Sequence, residues 1–291
     1  MTDDKPAAGA AACTIAAMLA FAGNSLLCRL ALREDSIDPG SFTALRLASG
    51  ALTLLLVVYL RGRKPELRVH GNPYSALMLF VYAAAFSYAY VSLSAASGAL
   101  ILFAFVQATM IAVALWRGER PQWFEWAGWL LATTGMLWLL LPGVDAPAPG
   151  GALLMAGAGI AWGIYSLRGA GSRRPVESTL ANFVFSVPLV VLLAPFMGGA
   201  HWTSSGVWLA IASGALTSGL GYVLWYAALR HLRSIQAALV QLSVPAIAAA
   251  GGVLLLHEPL TMRLVLAGSL VLGGILLARL GRERLARVKP A

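Results

Sequence analysis

LLLHEPLT, residues 254–261, lies between two long apolar segments, and the role of this stretch decides how the fold is interpreted. The adjacent His257 and Glu258 match the first half of the zinc-protease pattern H-E-x-x-H, which needs a second His on the same helix face. Thr261 occupies that position, and Pro259 is unfavourable in the helix that the pattern requires. We therefore exclude a metal site here and interpret the stretch as a connector between two membrane spans.

The composition of the whole chain indicates a membrane protein. Of its 291 residues, 59% are hydrophobic and only 11% are charged, and the mean hydropathy is +0.77. Soluble domains contain about 25% charged residues. The net charge of +9 comes from Lys and Arg in short connectors and in the C-terminal tail, so we expect membrane orientation rather than nucleic-acid binding to explain it.

Ten segments are long and apolar enough to span a membrane, which takes about 20 residues each. Of the 21 Lys and Arg residues, only Arg29, Arg33, Arg46 and Arg263 fall on the outer side if the N-terminus is cytoplasmic. We predict an all-α integral protein of the inner membrane, surrounded by lipid, with both termini cytoplasmic. The predicted transmembrane helices cover about 8–30, 40–60, 73–92, 96–116, 122–141, 150–168, 177–197, 205–228, 234–256 and 261–280.

The connector at 254–261 has a counterpart in the first half of the chain. LWRGERPQW, residues 115–123, also carries a Glu followed closely by Pro, and it also precedes an apolar span rich in small residues. Pro39 and Arg46 are spaced like Pro175 and Asn182 at the start of the second and seventh spans. These matches predict two five-helix repeats, 1–145 and 146–291. Because five is odd, the repeats are inverted in the membrane, as in many secondary transporters.

The sequence resembles the EamA type of the drug/metabolite transporter superfamily in four features. These are ten spans, inverted repeats, a Glu at each elbow (Glu119 and Glu258) and an Arg early in span two (Arg46). Within it, the sequence looks most like the YddG-type amino-acid exporters. The resemblance implies a transporter and not an enzyme. Asn182 replaces Arg in the second half, so any role of Arg46 is not symmetric.

Polar and aromatic residues deep in the spans are the candidate substrate-binding groups, because polar side chains are costly in hydrocarbon. They lie on helix pairs that are equivalent between the repeats, so we expect them to line one cavity at the pseudo-two-fold axis. Each can instead serve helix packing. The candidates are Asn24, Tyr82, Gln107, Trp162, Tyr165, Tyr222 and Gln241.

Four further residues are assigned structural or gating roles. We expect Arg46 to snorkel to the outer headgroups or to make a structural pairing, with attraction of a substrate carboxylate as the alternative. We expect Glu119 and Glu258 to cap the N-terminus of the span that follows each of them. Pro245 lies within span nine, where it frees a backbone carbonyl and permits bending.

These features together predict a monomeric secondary transporter that exports amino acids, including aromatic and other neutral ones, and related metabolites by alternating access. We expect no cofactor and no metal. The spans lack mid-membrane Asp or Glu, which favours facilitation or exchange. The alternatives are a multidrug or aromatic-cation exporter of the same fold, a proton-coupled antiporter, a membrane-embedded lipid enzyme, and a structural or receptor protein.

Overall fold

A computed structural model describes residues 4–118, 121–143, 145–169, 172–196, 199–232 and 240–288. These ranges are almost entirely helical, and their only β-structure is one isolated bridge between Ile37 and Trp202. Glu119 lies outside the described residues, as does the start of the ninth predicted span.

We number the α-helices within these ranges in chain order: α1 (Asp4–Arg33), α2 (Pro39–Leu60), α3 (Leu67–His70), α4 (Pro73–Tyr90), α5 (Ala95–Trp116), α6 (Trp123–Leu140), α7 (Pro149–Gly169), α8 (Pro175–Ser186), α9 (Ser204–Ala212), α10 (Gly221–Leu229), α11 (Ser243–Leu256) and α12 (Met262–Val288). A 3-10 segment, Val187–Phe196, continues α8. A π-helical segment, Ser213–Leu220, joins α9 to α10.

Several helices begin where the sequence supplies a side-chain cap. Asp38 accepts a hydrogen bond from the Ser41 N–H at 2.8 Å at the start of α2. Asn72, Ser94 and Thr203 cap α4, α5 and α9 in the same way. Such caps satisfy N–H groups that a helix leaves unbonded in its first turn.

Within the described ranges, six helical segments are long and apolar enough to cross a membrane by length and composition. They are Gly9–Arg33, Pro39–Leu60, Ala95–Trp116, Pro149–Gly169, Pro175–Phe196 and Ser204–Leu229. The helices Ser243–Leu256 and Met262–Ala278 are shorter but also apolar. The structure thus supports a multi-span protein, while the count of ten spans stays a prediction.

Each main contact between a helix of the first half and a helix of the second half has a counterpart, in which the equivalent helices of the opposite halves pack together. α4 packs on α7 as the α9–α10 segment packs on α1, and α5 packs on α7 as α11 packs on α1. The pairs α2–α8, α5–α11 and α6–α12 each join equivalent helices of the two halves. The centre of the molecule is therefore built from both halves.

α6 and α12 form the most extensive pair, and glycines bring them close together. Gly128 and Gly274 face each other, and a Cβ on either would overlap the carbonyl oxygen of the other. Small residues at such contacts let helix backbones approach closely in a membrane.

We predict that Gly274→Ala destabilises the protein by about 1–3 kcal/mol, because the new methyl group would lie 2.7 Å from the Ala132 nitrogen in a packed interface. The neighbouring Gly273 has open space around it, so Gly273→Ala is the matched control and should be neutral or slightly stabilising. Thermal unfolding of the purified protein in detergent measures both. Equal unfolding midpoints for the two variants would contradict the close contact.

Candidate functional site

A small central cavity lies where the helices of the two halves meet. Its wall residues come from α1, α4, α5, α7, the π-helical segment and α10, together with Gln241. The free space is about 20 Å³, enough for roughly one water molecule. The wall residues are Phe21, Asn24, Ser25, Tyr82, Phe86, Leu102, Phe103, Trp162, Thr217, Ser218, Tyr222 and Gln241.

Aromatic rings form the largest part of this wall. The Trp162 ring stacks on Tyr222 with a centroid distance of 5.2 Å, and its centroid lies 4.8 Å from that of Tyr82. Phe21 meets Tyr222 edge to face at 5.9 Å. Aromatic faces of this kind can hold an apolar side chain or a cation.

A hydrogen-bond network runs beside the rings and joins the two halves of the chain. Asn24 Nδ2 donates to Tyr82 Oη at 3.4 Å. Ser213 Oγ donates to Asn24 Oδ1 at 2.7 Å, and Thr217 Oγ1 lies 3.2 Å from the same oxygen. The network therefore fixes α1 and α4 of the first half against the π-helical segment of the second.

The π-helical segment supplies the hydroxyl groups of the second half to this arrangement. Its wider turn brings Ser213, Thr217 and Ser218 to one buried side, towards α1 and α2. Gly214 lies so close to α2 that a Cβ would overlap the Arg46 carbonyl and Ser49 Oγ. π-helical turns are rare and occur frequently at functional sites.

The structure brings together five of the seven predicted substrate-binding residues: Asn24, Tyr82, Trp162, Tyr222 and Gln241. Tyr165 lies one layer behind, buried and stacked on Trp162 at 5.4 Å. Gln107 is buried on α5 but is not a wall residue. Their role in binding stays a prediction.

Sequence reasoning missed two kinds of wall residue. Phe21, Phe86, Leu102 and Phe103 are apolar residues within apolar helices, so nothing in the sequence distinguishes them from residues of the core. Thr217 and its neighbour Ser218 did carry a signal, because hydroxyl groups deep in a span need partners.

Of the two arrangements expected for Arg46, the structure shows an interior pairing and not snorkelling to the membrane surface. Its side chain is only 2% exposed and points inward, where Nη2 donates to Tyr82 Oη at 2.9 Å and Nε lies 3.4 Å from Ser218 Oγ. The guanidinium also lies over the Tyr82 and Phe86 rings, at 5.1 and 4.9 Å from their centroids. Hydrogen-bond and aromatic partners in the interior thus replace the headgroups.

Glu258 caps a helix, but not the following one that we expected. Its Oε2 accepts from the Ala95 N–H at 2.8 Å, at the start of α5, and its Oε1 pairs with Arg29 Nε at 2.8 Å. The left-handed backbone of His257, with φ 52°, turns the chain at this point. Glu258 therefore connects the end of α1 and the start of α5 to the elbow before α12.

A second contact closes the same end of the molecule. Arg33 Nη1 donates to the Leu256 carbonyl at 2.6 Å, and Arg29 Nη1 donates to the Tyr90 carbonyl at 3.0 Å. Pro245 lies in the first turn of α11, and a turn at Leu242 separates this helix from the helical residues 240–241 before it. Its role in bending the ninth span stays a prediction. Glu119, the predicted counterpart of Glu258, lies outside the described residues.

Basic residues line a larger cavity at the other end. It has a volume of about 380 Å³ and is bordered by Arg61, Arg63, Arg230 and Tyr226, among others. Arg63 forms an ion pair with Glu177 beside it. Hydrogen bonds and an ion pair thus hold the end near Glu258 together, whereas a cavity lies among the described residues at the end near Arg63.

Comparison with known proteins assigns the chain to a class. The sequence profile of the EamA-like transporter family matches residues 9–141 and again residues 149–280. An uncharacterized protein of Pseudomonas aeruginosa is 53% identical over 273 residues, which are 92% of this chain and 95% of that protein. The protein is therefore a multi-pass membrane transporter.

The chain belongs to the EamA family of the drug/metabolite transporter superfamily. The uncharacterized transporter YoaV of Bacillus subtilis is 23% identical over 252 residues, covering 82% of this chain and 86% of YoaV. The threonine/homoserine exporter RhtA of Escherichia coli is 35% identical over 177 residues, covering 59% of this chain and 58% of RhtA. A solved crystal structure with 20% identity has the same fold, with a TM-score of 0.68 over 94% of this chain and 98% of that one.

We predict that Glu258→Gln lowers stability by about 1–3 kcal/mol, because Arg29 then loses its charged partner in a largely buried contact. Glu66→Gln is the control, since Glu66 is 56% exposed and lies 3.8 Å from His70. Thermal unfolding in detergent compares the two variants. If Glu258→Gln unfolds at the same temperature as Glu66→Gln, the Arg29–Glu258 pair does not hold this end together.

Proposed function

We propose that the protein exports small neutral amino acids, aromatic ones included, across the inner membrane. The observation that carries this proposal is the central cavity, where aromatic rings and an amide–hydroxyl network from both halves enclose one small space. The family supports transport, and its relative RhtA, a threonine/homoserine exporter, supports amino acids as cargo.

The proposed architecture is ten transmembrane helices in two inverted five-helix repeats, 1–145 and 146–291, acting as a monomer with both termini in the cytoplasm. The double match of the family profile supports two repeats. The equivalent helices of the two halves make matching contacts, which supports a two-fold relation between the halves. The distribution of Lys and Arg supports the orientation.

The mechanism that we propose is alternating access. A free space of about 20 Å³ is far smaller than ligand pockets, which measure about 300 Å³ or more, so the wall must move to admit a substrate. The contacts of Arg29, Arg33 and Glu258 close the predicted outer end. The cavity near Arg63 lies at the predicted cytoplasmic end, from which an exported substrate would enter.

We propose facilitation or exchange as the driving mode, because no carboxylate lines the central cavity among the described residues. A proton-coupled antiporter is the alternative. A second candidate cargo is an aromatic cation or drug, which the faces of Trp162, Tyr82 and Tyr222 favour.

Proteoliposomes test the activity. We expect counterflow of labelled threonine, homoserine and phenylalanine, and at least about a tenfold reduction in Asn24→Leu, because the loss of two or three buried hydrogen bonds disturbs the cavity wall. Gly273→Ala, outside the cavity, should transport normally.

The result that contradicts the proposal is transport of aromatic cations with no transport of any of the three amino acids. An imposed proton gradient separates the driving modes, since strong stimulation of uptake would exclude facilitation.

Labelling in spheroplasts tests the topology. In a chain with Cys13 and Cys28 replaced by Ala, we expect Asp145→Cys to react with an impermeant maleimide from outside, and Glu66→Cys to react only after permeabilisation. Residue 145 follows the fifth predicted span and residue 66 the second, so an odd and an even number of crossings separate them from the N-terminus. Labelling of both positions from the same side would overturn the inverted repeats.

A further inference from the structure

We propose that Arg46 binds the carboxylate of the transported substrate, so that the site selects amino acids over amines and amides of the same shape. This inference rests on the proposed amino-acid export and adds to it the group that is recognised and the residue that recognises it. It also separates the amino-acid cargo from the rival aromatic-cation cargo.

Arg46 carries a buried charge for which the described part of the chain supplies no compensating anion. It is the largest of the fully buried side chains, at 2% exposure. None of the four ion pairs among the described residues includes it. Its Nη1 is buried with no hydrogen-bond partner in the same part of the chain.

The existing partners of Arg46 are neutral. Tyr82 and Ser218 accept from two of its nitrogens, and the Tyr82 and Phe86 rings contact the guanidinium face. Neutral acceptors and aromatic faces offset only part of the cost of removing an ion from water, which is large in a membrane interior. An anion beside Nη1 would supply the remainder.

Arg46, whose Nη1 has no hydrogen-bond partner among the described residues, directly contacts the cavity wall. Tyr82 and Ser218, the two residues to which Arg46 donates, both line the free space. Tyr82 Oη accepts from Arg46 and from Asn24, so its own proton is left for a third group. A substrate carboxylate at this part of the wall would receive the Tyr82 hydroxyl and Arg46 Nη1 together.

The equivalent position of the second half does not offer a charge. Asn182 stands there, and its Oδ1 accepts from the Asn72 N–H at 3.0 Å, which ties it to the start of α4. A cation therefore lies behind one side of the cavity wall, next to Tyr82 and Ser218, and Trp162 and Tyr222 form an aromatic part of the wall. A zwitterion would bind in one orientation, with its carboxylate towards Arg46 and its side chain towards the rings.

A ligand that carries only a positive charge would meet the Arg46 charge without a carboxylate to offset it. Like charges in a poorly screened interior repel strongly. The aromatic wall alone would favour cations, but the positive charge of Arg46 disfavours them. Phenylalanine should bind, whereas phenylalaninamide and phenethylamine should bind poorly.

Competition in proteoliposomes tests this prediction with the unaltered protein. Phenylalanine and threonine should inhibit phenylalanine counterflow at concentrations at least about tenfold lower than phenylalaninamide, phenethylamine and threoninol. If phenylalanine is transported and the amide and amine compete equally well, the carboxylate proposal is wrong while amino-acid export stands. If no amino acid is transported or competes, the proposed function and this inference fail together.

Two variants then locate the effect at Arg46. Arg46→Gln should weaken competition by phenylalanine at least about tenfold and strengthen competition by phenylalaninamide, because the repulsion between two positive charges is removed. Arg46→Lys should restore part of the preference for phenylalanine. The protection that each ligand gives against thermal unfolding, measured in detergent, provides a second readout that needs no transport. If Arg46→Gln lowers stability but keeps the preference for phenylalanine over its amide, Arg46 is a structural residue and the proposal is overturned.

Discussion

The need to satisfy polar groups inside an apolar bundle determines the centre of this protein. Arg46, Tyr82, Asn24 and Ser213 belong to α2, α4, α1 and the π-helical segment, and each is linked by a hydrogen bond to another of the four. Neither half of the chain could bury its share of these groups alone at acceptable cost. The junction of the halves and the candidate binding site are consequently one structure.

This hydrogen-bond network requires that the backbones of α2 and the π-helical segment lie close together. Gly214 allows the π-helical segment to touch α2 at Arg46, and Gly50 lies against Phe183 and the Gly214 carbonyl on the same contact. A larger residue at either position would separate α2 from the segment and carry Ser218 away from the guanidinium. The glycines thus allow the two backbones to approach closely, and the π-helical segment places its hydroxyl groups against α1 and α2.

The sequence predicted the parts of this structure that depend on local composition. Apolar segments and the paired elbows predicted a helical membrane protein of two related halves, and polar residues deep in the spans pointed to Asn24, Tyr82 and Gln241. It did not predict which way Arg46 points or which helix Glu258 caps. Both depend on contacts between residues far apart in the chain, and no local pattern encodes them.

The α6–α12 pair has a consequence for how the chain is made. α6 finds its main partner only in α12, the last of the described helices, and the Gly128 surface stays uncovered until residues near Gly274 have been synthesised. Between these events the ribosome adds nearly half of the polypeptide. The first half must therefore wait in the bilayer in an incomplete form, and a chain that stops before Met262 leaves it without its closing helix.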